Sequence, residues 1–437
     1  MPACIRFFFL IRFPNSGPLA RLLESAFQIR VCHRGRVLPI RSRDIGHKMA
    51  CQSRSIDVCS CFNNRRELYG DLRAIQHPAR IVFFTFFEDA IMYDQSCSLP
   101  ILEDAVITLA HGSGGKQTQK LINEVFLSAF RNRHLELMHD GAELVLPSNR
   151  VVFTTDSFIV QPVFFPGGDI GKLAVTGTMN DLAMCGALPL YLSCGFIIEE
   201  GFSRKDLAAI VNSMQLEAQA NGVEFVAGDT KVIERQTGKN LFINTSGIGV
   251  KMVDRPINPR QICPGDAIVL SGDIGRHGMA VMAAREGLQF AAPFMSDCAS
   301  LVPLVQALLH KSIDVRCLRD LTRGGLATAL VEIAEASEMD LEIDEGAIAI
   351  CESVSSVAEV LGIDPMYVAN EGRFIAFVPK SDAEEALCSL RQCGMDGASV
   401  IGYVGIQTTD PKVLLKNGFG VQRRLYRLSG DQLPRIC

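Results

Sequence analysis

This chain of 437 residues lacks the features that mark membrane, secreted and disulfide-stabilised proteins. No apolar run approaches the about 20 residues of a membrane-spanning helix; the stretch around 81–87 is short. No convincing cleavage site follows the apolar residues near the N-terminus, which disfavours a secretory signal. None of the fifteen cysteines forms a CxxC pair, so neither a disulfide scaffold nor a zinc site is indicated. Reduced thiols in the cytoplasm fit this usage better, and no membrane partner is expected.

The first hundred residues are almost free of lysine and differ in charge from the rest. Residues 1–100 hold thirteen arginines, one lysine and eight acidic residues, a net charge of +6, which leaves −11 for residues 101–437. This segment also contains six of the cysteines and shows no sustained helical or strand period. A nucleic-acid-binding arm is conceivable, but no recognisable module supports one, and we expect no nucleic-acid partner. We interpret 1–100 as an extension outside the working protein, with Met92 as the natural start.

From Ile107 onward the sequence is regular α/β. Short β-branched strands, such as 151–155 and 267–270, alternate with helical stretches and Gly-Asp turns. The proline-rich segment 255–259, followed by Pro264-Gly265-Asp266, reads as a crossing between domains. We therefore predict an N-terminal domain at 101–256, a C-terminal α/β domain at 257–428 and a tail at 429–437.

The tail ends on a thiol, Cys437, behind Pro434-Arg435-Ile436. A cysteine at the very end cannot pack into a core from both sides, and its sulfur is a nucleophile or a covalent carrier when the thiolate is accessible. An extended tail of this length spans roughly 30 Å, about the width of a small domain. The tail could therefore deliver Cys437 into a pocket. For an arbitrary protein the plainer interpretation is a frayed terminus.

Four aspartates follow or close predicted elements, where α/β sheets bind ligands. They are Asp156, Asp181, Asp229 and Asp320. Each alone is more often a cap or a turn residue. Together they offer hard oxygen ligands suited to Mg²⁺ carried on nucleotide phosphates.

Asp181 is the sharpest of the four. The sequence predicts a helix with Asp169 as its N-cap and its end at Gly186. At 100° per residue, Asp181 falls on the same face as Ile170 and Ala174, which should be buried. A carboxylate there must be paired or metal-bound, because an isolated buried charge is strongly destabilising.

A glycine-rich loop supplies an anion-binding candidate. In His111-Gly112-Ser113-Gly114-Gly115-Lys116, backbone N–H groups could wrap phosphate oxygens beside a lysine. It is not a P-loop, since Ala110 replaces the earlier glycine and Gln117 stands where Ser or Thr would bind Mg²⁺. The segment 272–278 follows a strand, but its glycine spacing is wrong for a dinucleotide fingerprint, and we interpret it as a tight strand-to-helix turn.

Eight segments, in this order from about residue 106 to the end, resemble the HypE family, the carbamoyl dehydratases of [NiFe]-hydrogenase maturation. They are Ala110-His111-Gly112-Ser113-Gly114-Gly115, Thr154-Thr155-Asp156-Ser157, Phe164-Phe165-Pro166-Gly167-Gly168, Asn180-Asp181, Gly228-Asp229-Thr230-Lys231, Asp320-Leu321-Thr322-Arg323-Gly324-Gly325, Ala369-Asn370-Glu371-Gly372 and Pro434-Arg435-Ile436-Cys437. Residues 1–100 depart from the family pattern, which begins close to the glycine-rich loop.

The resemblance implies a two-domain α/β (α+β) fold of the aminoimidazole-ribonucleotide-synthetase type with a flexible C-terminal tail. It also implies a homodimer built through a shared β-barrel, with ATP between the domains. In the implied reaction, a carbamoyltransferase, HypF, places a carbamoyl group on Cys437. ATP phosphorylates the carbamoyl oxygen, loss of phosphate leaves a thiocyanate, and the cyano group passes to iron on a HypC–HypD scaffold.

Dehydration in water needs activation because an amide oxygen is a very poor leaving group, and γ-phosphoryl transfer needs Mg²⁺ and cations. We predict the four aspartates as metal ligands. The predicted nucleotide contacts are the same aspartates, the loop 111–116, Asn180 and Thr230. Lys231 and Lys116 are candidate phosphate contacts, and Lys231 could also orient the substrate. Glu371 is the candidate base for the amide nitrogen.

Two other function classes remain open at this stage. A sister ATP enzyme, such as selenophosphate synthetase or thiamine-monophosphate kinase, would use the aspartates but not a terminal cysteine. A non-enzymatic thiol scaffold for iron would use the cysteine but not an ATP site.

Overall fold

The computed structural model describes residues 29–33, 36–40, 105–237, 239–287, 295–311 and 313–427. The chain divides into two units, 1–99 and 100–437. In the first unit the structure describes an antiparallel hairpin of β1 (Ile29–His33) and β2 (Arg36–Ile40). The predictions for the tail and for Cys437 lie outside the described residues. No helix in the described part has the length and hydropathy that a membrane span requires.

The N-terminal half of the second unit is built on a four-stranded sheet with the order β3-β8-β6-β7. Only the β6–β7 pair is parallel. The sheet consists of β3 (Val151–Phe158), β6 (Ala187–Glu199), β7 (Glu224–Ile233) and β8 (Leu241–Lys251). A separate small hairpin consists of β4 (Phe164–Phe165) and β5 (Gly168–Asp169). The helices of this half are α1 (Lys116–Leu121), α2 (Leu127–Phe130), α3 (Ile170–Met184) and α4 (Arg204–Ala220), with a π-helical turn at Ile122–Phe126 between the first two.

Helix α3 is the buried centre of this half, and its bounds match the sequence prediction. Asp169 is the N-cap, and its Oδ1 accepts hydrogen bonds from the amides of Gly171 at 2.7 Å and Lys172 at 3.1 Å. The helix ends before Gly186, whose φ of +67° suits glycine. Of its fifteen residues, only Lys172 and Asp181 are not buried.

The C-terminal half contains a seven-stranded mixed sheet with the order β10-β12-β9-β13-β11-β14-β15. Its strands are β9 (Ala267–Leu270), β10 (Cys317–Asp320), β11 (Met339–Asp344), β12 (Phe374–Val378), β13 (Ser399–Gln407), β14 (Val413–Lys416) and β15 (Gln422–Leu425). Its helices are α5 (Arg276–Arg285), α6 (Val302–His310), α7 (Gly325–Ser337), α8 (Glu352–Leu361) and α9 (Ala383–Gln392). β9 and β12 read as continuous apolar runs because every residue in them is buried.

Asn180 of α3 joins the two halves. Its side-chain oxygen accepts from the amide of Leu301 at 2.7 Å, and its Nδ2 donates to the carbonyl of Ala299 at 3.1 Å. The side chain is 2% exposed, so its hydrogen bonds are made away from water. The helix that carries Asp181 is therefore fixed against the start of α6.

Candidate functional site

A pocket of about 440 Å³ lies where the two halves meet, and we call it the acidic pocket. Its charged lining residues are Asp156, Asp181, Asp320, Glu371 and Arg323. Asp156 lies on β3, Asp181 on α3 and Asp320 at the end of β10, so three different elements supply one site. Three of the four predicted aspartates and the predicted base thus come together.

Hydrogen bonds hold two of these carboxylates in place. Thr154, two residues before Asp156 on the same side of β3, donates from its hydroxyl to Asp181 Oδ2 at 2.9 Å. Glu371 is held through its neighbour Asn370, whose Oδ1 accepts from the amide of Gly275 at 2.6 Å and whose Nδ2 donates to the carbonyl of Val368 at 3.0 Å. The Asp181 carboxylate is therefore fixed directly by Thr154, whereas Glu371 is positioned only through the buried side chain of Asn370.

Asp297 supports the Glu371 turn from behind. Its Oδ2 accepts from the amide of Gly372 at 3.0 Å, while its buried Oδ1 has no hydrogen-bond partner among the described residues. A Cβ on Gly372 would lie 1.9 Å from the carbonyl oxygen of Asp297, so only glycine fits there. Burial raises the pKa of the Asp297 carboxyl.

The pocket carboxyls raise one another's proton affinity. Burial, and after it the charge of Asp181, raises the pKa of Asp320 to about 7. Burial and the charge of Asp320 raise the pKa of Glu371 well above its ordinary value. For Asp181 burial again raises the pKa, and the hydrogen bond from Thr154 opposes it. Such clustering of perturbed acids in a cleft is typical of a functional site.

The carboxylates do not form a metal cage by themselves. No group of three or more His, Cys, Asp or Glu side chains in the described part of the chain is close enough to hold a metal ion alone. Mg²⁺ in nucleotide sites is commonly held by one or two carboxylates together with substrate phosphates. The donor set therefore fits an ion that arrives with a nucleotide.

The glycine-rich loop and the Gly228–Lys231 segment form a second cluster. A Cβ on Gly112 would lie 2.7 Å from the amide nitrogen of Val232, so the loop packs directly on β7. Gly114 has a φ of +81°, and its amide donates to the Thr118 hydroxyl at 2.9 Å. His111 is buried, whereas Lys116 is exposed at the start of α1.

Asp229 lies outside the wall of the acidic pocket, apart from the other three aspartates. β7 and β3 are opposite edges of the four-stranded sheet, roughly 14 Å apart at 4.7–4.9 Å per strand. Strand alternation places Asp229 and Lys231 on the open face of the sheet, while Asp156 is on the side covered by α3. Lys231 Nζ lies 3.0 Å from Asp229 Oδ1, and this hydrogen bond lowers the pKa of Asp229. The sequence could not reveal this separation because strand order is a property of the fold.

Asn180, predicted as a nucleotide contact, lies where the two halves of the fold meet. Asn180 is outside the wall of the acidic pocket, and its amide is occupied by backbone groups of the C-terminal half. Sequence reasoning missed Arg323, Thr154 and Asp297. Arg323 and Thr154 stand inside the motif segments quoted above, which was a usable signal, whereas Asp297 lies in a loop without a pattern.

Fold and site together define an ATP-handling protein of the aminoimidazole-ribonucleotide-synthetase class. The family described as "AIR synthase related protein, N-terminal domain" matches residues 138–251, and its C-terminal counterpart matches residues 263–409. These are the two halves described above, so the predicted fold class is confirmed.

The chain belongs to the HypE carbamoyl dehydratase family. It is 47% identical to the carbamoyl dehydratase HypE of Azotobacter vinelandii over 77% of this chain and 98% of that protein. Among solved structures, HypE in complex with ATP is 44% identical, with a TM-score of 0.72 over 76% of this chain and 99% of that one. The HypE–HypF complex is 45% identical, with a TM-score of 0.61 over 70% and 99%.

A more distant structure bears on the alternatives. Thiamine-monophosphate kinase of Stenotrophomonas maltophilia is 18% identical, with a TM-score of 0.52, and shares the fold alone.

Proposed function

We propose that the chain catalyses the ATP-dependent dehydration of a carbamoyl group on Cys437 to a thiocyanate, for the cyanide ligand of [NiFe]-hydrogenase iron. The observation that carries the proposal is the acidic pocket between the two halves, in a chain 44% identical to a HypE that binds ATP. A thiamine-monophosphate kinase shares the fold but is only 18% identical in sequence. A scaffold that catalyses no reaction would have no use for this pocket.

The chemistry explains why ATP is needed. The carbamoyl oxygen forms a bond to the γ-phosphorus while the bond to ADP breaks, and the electron pair leaves with ADP. The carbon–oxygen bond then breaks, phosphate departs and the nitrogen loses its two protons. The sum is a thiocarbamate and ATP converted to a thiocyanate, ADP, phosphate and a proton. Phosphorylation thus turns a poor leaving group into a good one.

We infer that Asp156, Asp181 and Asp320 would hold Mg²⁺ together with the nucleotide phosphates. The support is their position on three rigid elements around one pocket and their hard oxygen donors. Mg²⁺ bound there would supply charge neutralisation for the transferred phosphoryl group.

Glu371 is the proposed base for the amide protons. It is only 6% exposed and lines the same pocket as the three aspartates. Its raised pKa makes its ionised form a stronger base, and positive charge brought into the pocket favours that form.

We further propose a homodimer that covers the open face of the four-stranded sheet. Phe153 is 65% exposed, and Val151 and Ile197 are 44% exposed on this face. Exposed apolar side chains on an otherwise unpaired sheet face favour an interface. Lys231 and Asp229 lie on the same face, so we infer that they serve the acidic pocket of the partner copy. Thr230 and the loop 111–116, which packs on Val232, lie beside them on β7 and are proposed as further nucleotide contacts.

HypF is the proposed source of the carbamoyl group, since a HypE of 45% identity forms a complex with HypF. A HypC–HypD iron scaffold is the proposed acceptor. We place the reaction in the cytoplasm, because the eight cysteines in the described part of the chain are all free thiols.

The test is ADP release from the full chain after HypF has carbamoylated it. Wild type should release one ADP for each carbamoyl group, and Cys437→Ala should release none while it still binds nucleotide. Cys393→Ala, which removes an exposed cysteine of the C-terminal half, is the matched control. ADP release that is independent of Cys437 would favour a sister kinase, and its absence from wild type would favour a scaffold.

A further inference from the structure

The side chains that line the acidic pocket offer little positive charge of their own to the triphosphate proposed to bind there. Four carboxyl groups line it, from Asp156, Asp181, Asp320 and Glu371, and Arg323 is the one cationic side chain in its described wall. A triphosphate brought into this field meets like charge on several sides. Arg323 is therefore placed where a nucleotide most needs a positive contact.

The backbone under Arg323 is tightly constrained. Gly324 has a φ of +75°, and a Cβ on it would lie 2.2 Å from the Thr328 hydroxyl. Gly325 has a φ of +60°, and its Cβ would lie 2.6 Å from the carbonyl oxygen of Val368. These two glycines fix the turn between β10 and α7. Arg323 thus extends from a rigid base only three residues after Asp320.

Its head group is only weakly held. Arg323 Nη2 lies 3.6 Å from Asp156 Oδ1, beyond hydrogen-bond distance, and the Arg323 side chain is 80% exposed. Exposed pairs of this kind contribute little to stability. A guanidinium binds phosphate through short, charge-assisted and often bidentate hydrogen bonds. A phosphate group in the pocket would therefore replace Asp156 as the partner of the Arg323 guanidinium.

The neighbouring arginines are already committed elsewhere. Arg319 forms an ion pair with Glu332 and is not part of the pocket wall. Arg373 Nη2 donates to Asp273 Oδ1 at 2.7 Å, and its Nη1 donates to the carbonyl of Gly372 at 2.9 Å. Each of these arginines would have to give up a hydrogen-bonded partner before it could contact a phosphate, whereas Arg323 has no contact of that length to Asp156.

We propose that Arg323 is a catalytic residue that contacts the γ-phosphoryl group as it moves from ADP to the carbamoyl oxygen. The inference rests on the proposed function. Arg323 and the proposed base Glu371 line one pocket. The carbamoyl group must lie near Glu371, so the phosphoryl group that is transferred to it lies between Glu371 and Arg323. As the bond to ADP breaks and the bond to the carbamoyl oxygen forms, the guanidinium stabilises the charge on the phosphoryl oxygens.

The experiment compares two nucleotides on the full chain. Binding of Mg·AMP-PNP and of Mg·ADP is measured by calorimetry for wild type, Arg323→Gln, Arg323→Lys and the control Arg319→Gln. We expect Arg323→Gln to weaken AMP-PNP binding about 10-fold and ADP binding less than about 2-fold, because only AMP-PNP carries the γ group. Its rate of ADP release should fall about 100-fold or more, Arg323→Lys should lie between, and Arg319→Gln should change either quantity less than about 3-fold.

Equal losses of AMP-PNP and ADP affinity in Arg323→Gln would overturn the inference, since they indicate a structural or general electrostatic role. Full activity in Arg323→Gln beside an active wild type would overturn it too, while leaving the proposed function intact. If wild type itself releases no ADP, the proposed function fails, and the difference between the two nucleotides still decides whether Arg323 reads the γ group.

Discussion

The ionised carboxylate of Asp320, which is suited to bind a cation, lowers the stability of the fold. Its pKa of about 7, raised from an ordinary 3.8, means that the folded protein holds this proton more tightly than the unfolded chain does. Its contribution to stability is present at low pH and is lost as the pH rises from about 4 through 7. At pH 8 the ionised carboxylate therefore strains the fold, and it is the form a cation would bind.

We predict that Asp320→Asn raises the free energy of unfolding at pH 8 by roughly 2 to 4 kcal/mol, because the neutral amide avoids the buried charge. Mg·ATP binding should weaken at least about 10-fold because a charged ligand is lost. Urea denaturation and calorimetry measure the two effects, with the exposed Asp254→Asn as control. A variant that is less stable and binds Mg·ATP normally would show that Asp320 is a structural acceptor.

His277 should make the fold sensitive to acid. The ring is fully buried, and burial lowers its pKa from 6.5 to about 3. Its Nδ1 lies 2.8 Å from the Ser296 hydroxyl. Because the unfolded chain takes up this proton first, the associated stability is present above about pH 6.5 and is lost as the pH falls toward 3.

His277→Gln should therefore flatten the dependence of unfolding free energy on pH between 6.5 and 4, by up to about 1.4 kcal/mol per pH unit. Urea titrations at several pH values measure this slope, with exposed His310→Gln as control. A slope identical to that of wild type would mean that His277 is charged in the folded state.

At the residue scale, the sequence was informative where the cause is local. Helix periodicity predicted an inward-facing Asp181; the structure leaves this side chain part-buried at the acidic pocket, where it accepts a hydrogen bond from Thr154. The role of Asn180 could not be predicted, because its bonding partners Ala299 and Leu301 are more than a hundred residues away.

At the scale of elements, Glu199 secures the connection between β7 and β8. This residue is 0% exposed, and its carboxylate accepts from the Thr237 hydroxyl at 3.1 Å, from the amide of Asn240 at 3.0 Å and from the amide of Gln236. A carboxylate with two acceptor oxygens can satisfy these donors, whereas an amide has only one.

Glu199→Gln should therefore destabilise the fold by about 1 to 3 kcal/mol, through donors left without an acceptor. Hydrogen exchange at the amides of Gln236 and Asn240 should accelerate more than exchange in β9. Glu224→Gln, on the exposed start of β7, is the control. Unchanged exchange at both amides would mean that the connection does not depend on Glu199.

The prediction of α3 succeeded because local residues determine both of its ends: the carboxylate of Asp169 caps its start, and Gly186, in the left-handed conformation, follows its end. The order of the strands was not accessible in the same way. β9 pairs with β12 and β13, which lie more than a hundred residues downstream, and nothing in the β9 sequence specifies these partners.

At the scale of the whole molecule, the two clusters on opposite edges of one sheet lead to a prediction about the dimer. If Lys231 serves the partner's pocket, a mixed dimer of Asp320→Asn and Lys231→Ala chains contains one site without either change. Mixing and reassembling the two inactive variants should then restore up to about half of the wild-type activity per mixed dimer. If both residues act in one protomer, every site in the mixture is defective and no activity returns.

The most direct test of the whole account is the mass of the C-terminal peptide of the full chain. After HypF has carbamoylated Cys437, Mg·ATP should remove the mass of one water from this peptide, in step with ADP release, because the carbamoyl oxygen leaves on phosphate. Asp181→Asn, which keeps the shape of a pocket ligand but removes its charge, should slow both events together. A carbamoyl group that stays unchanged while ADP is released, or one found on another residue, would contradict the account.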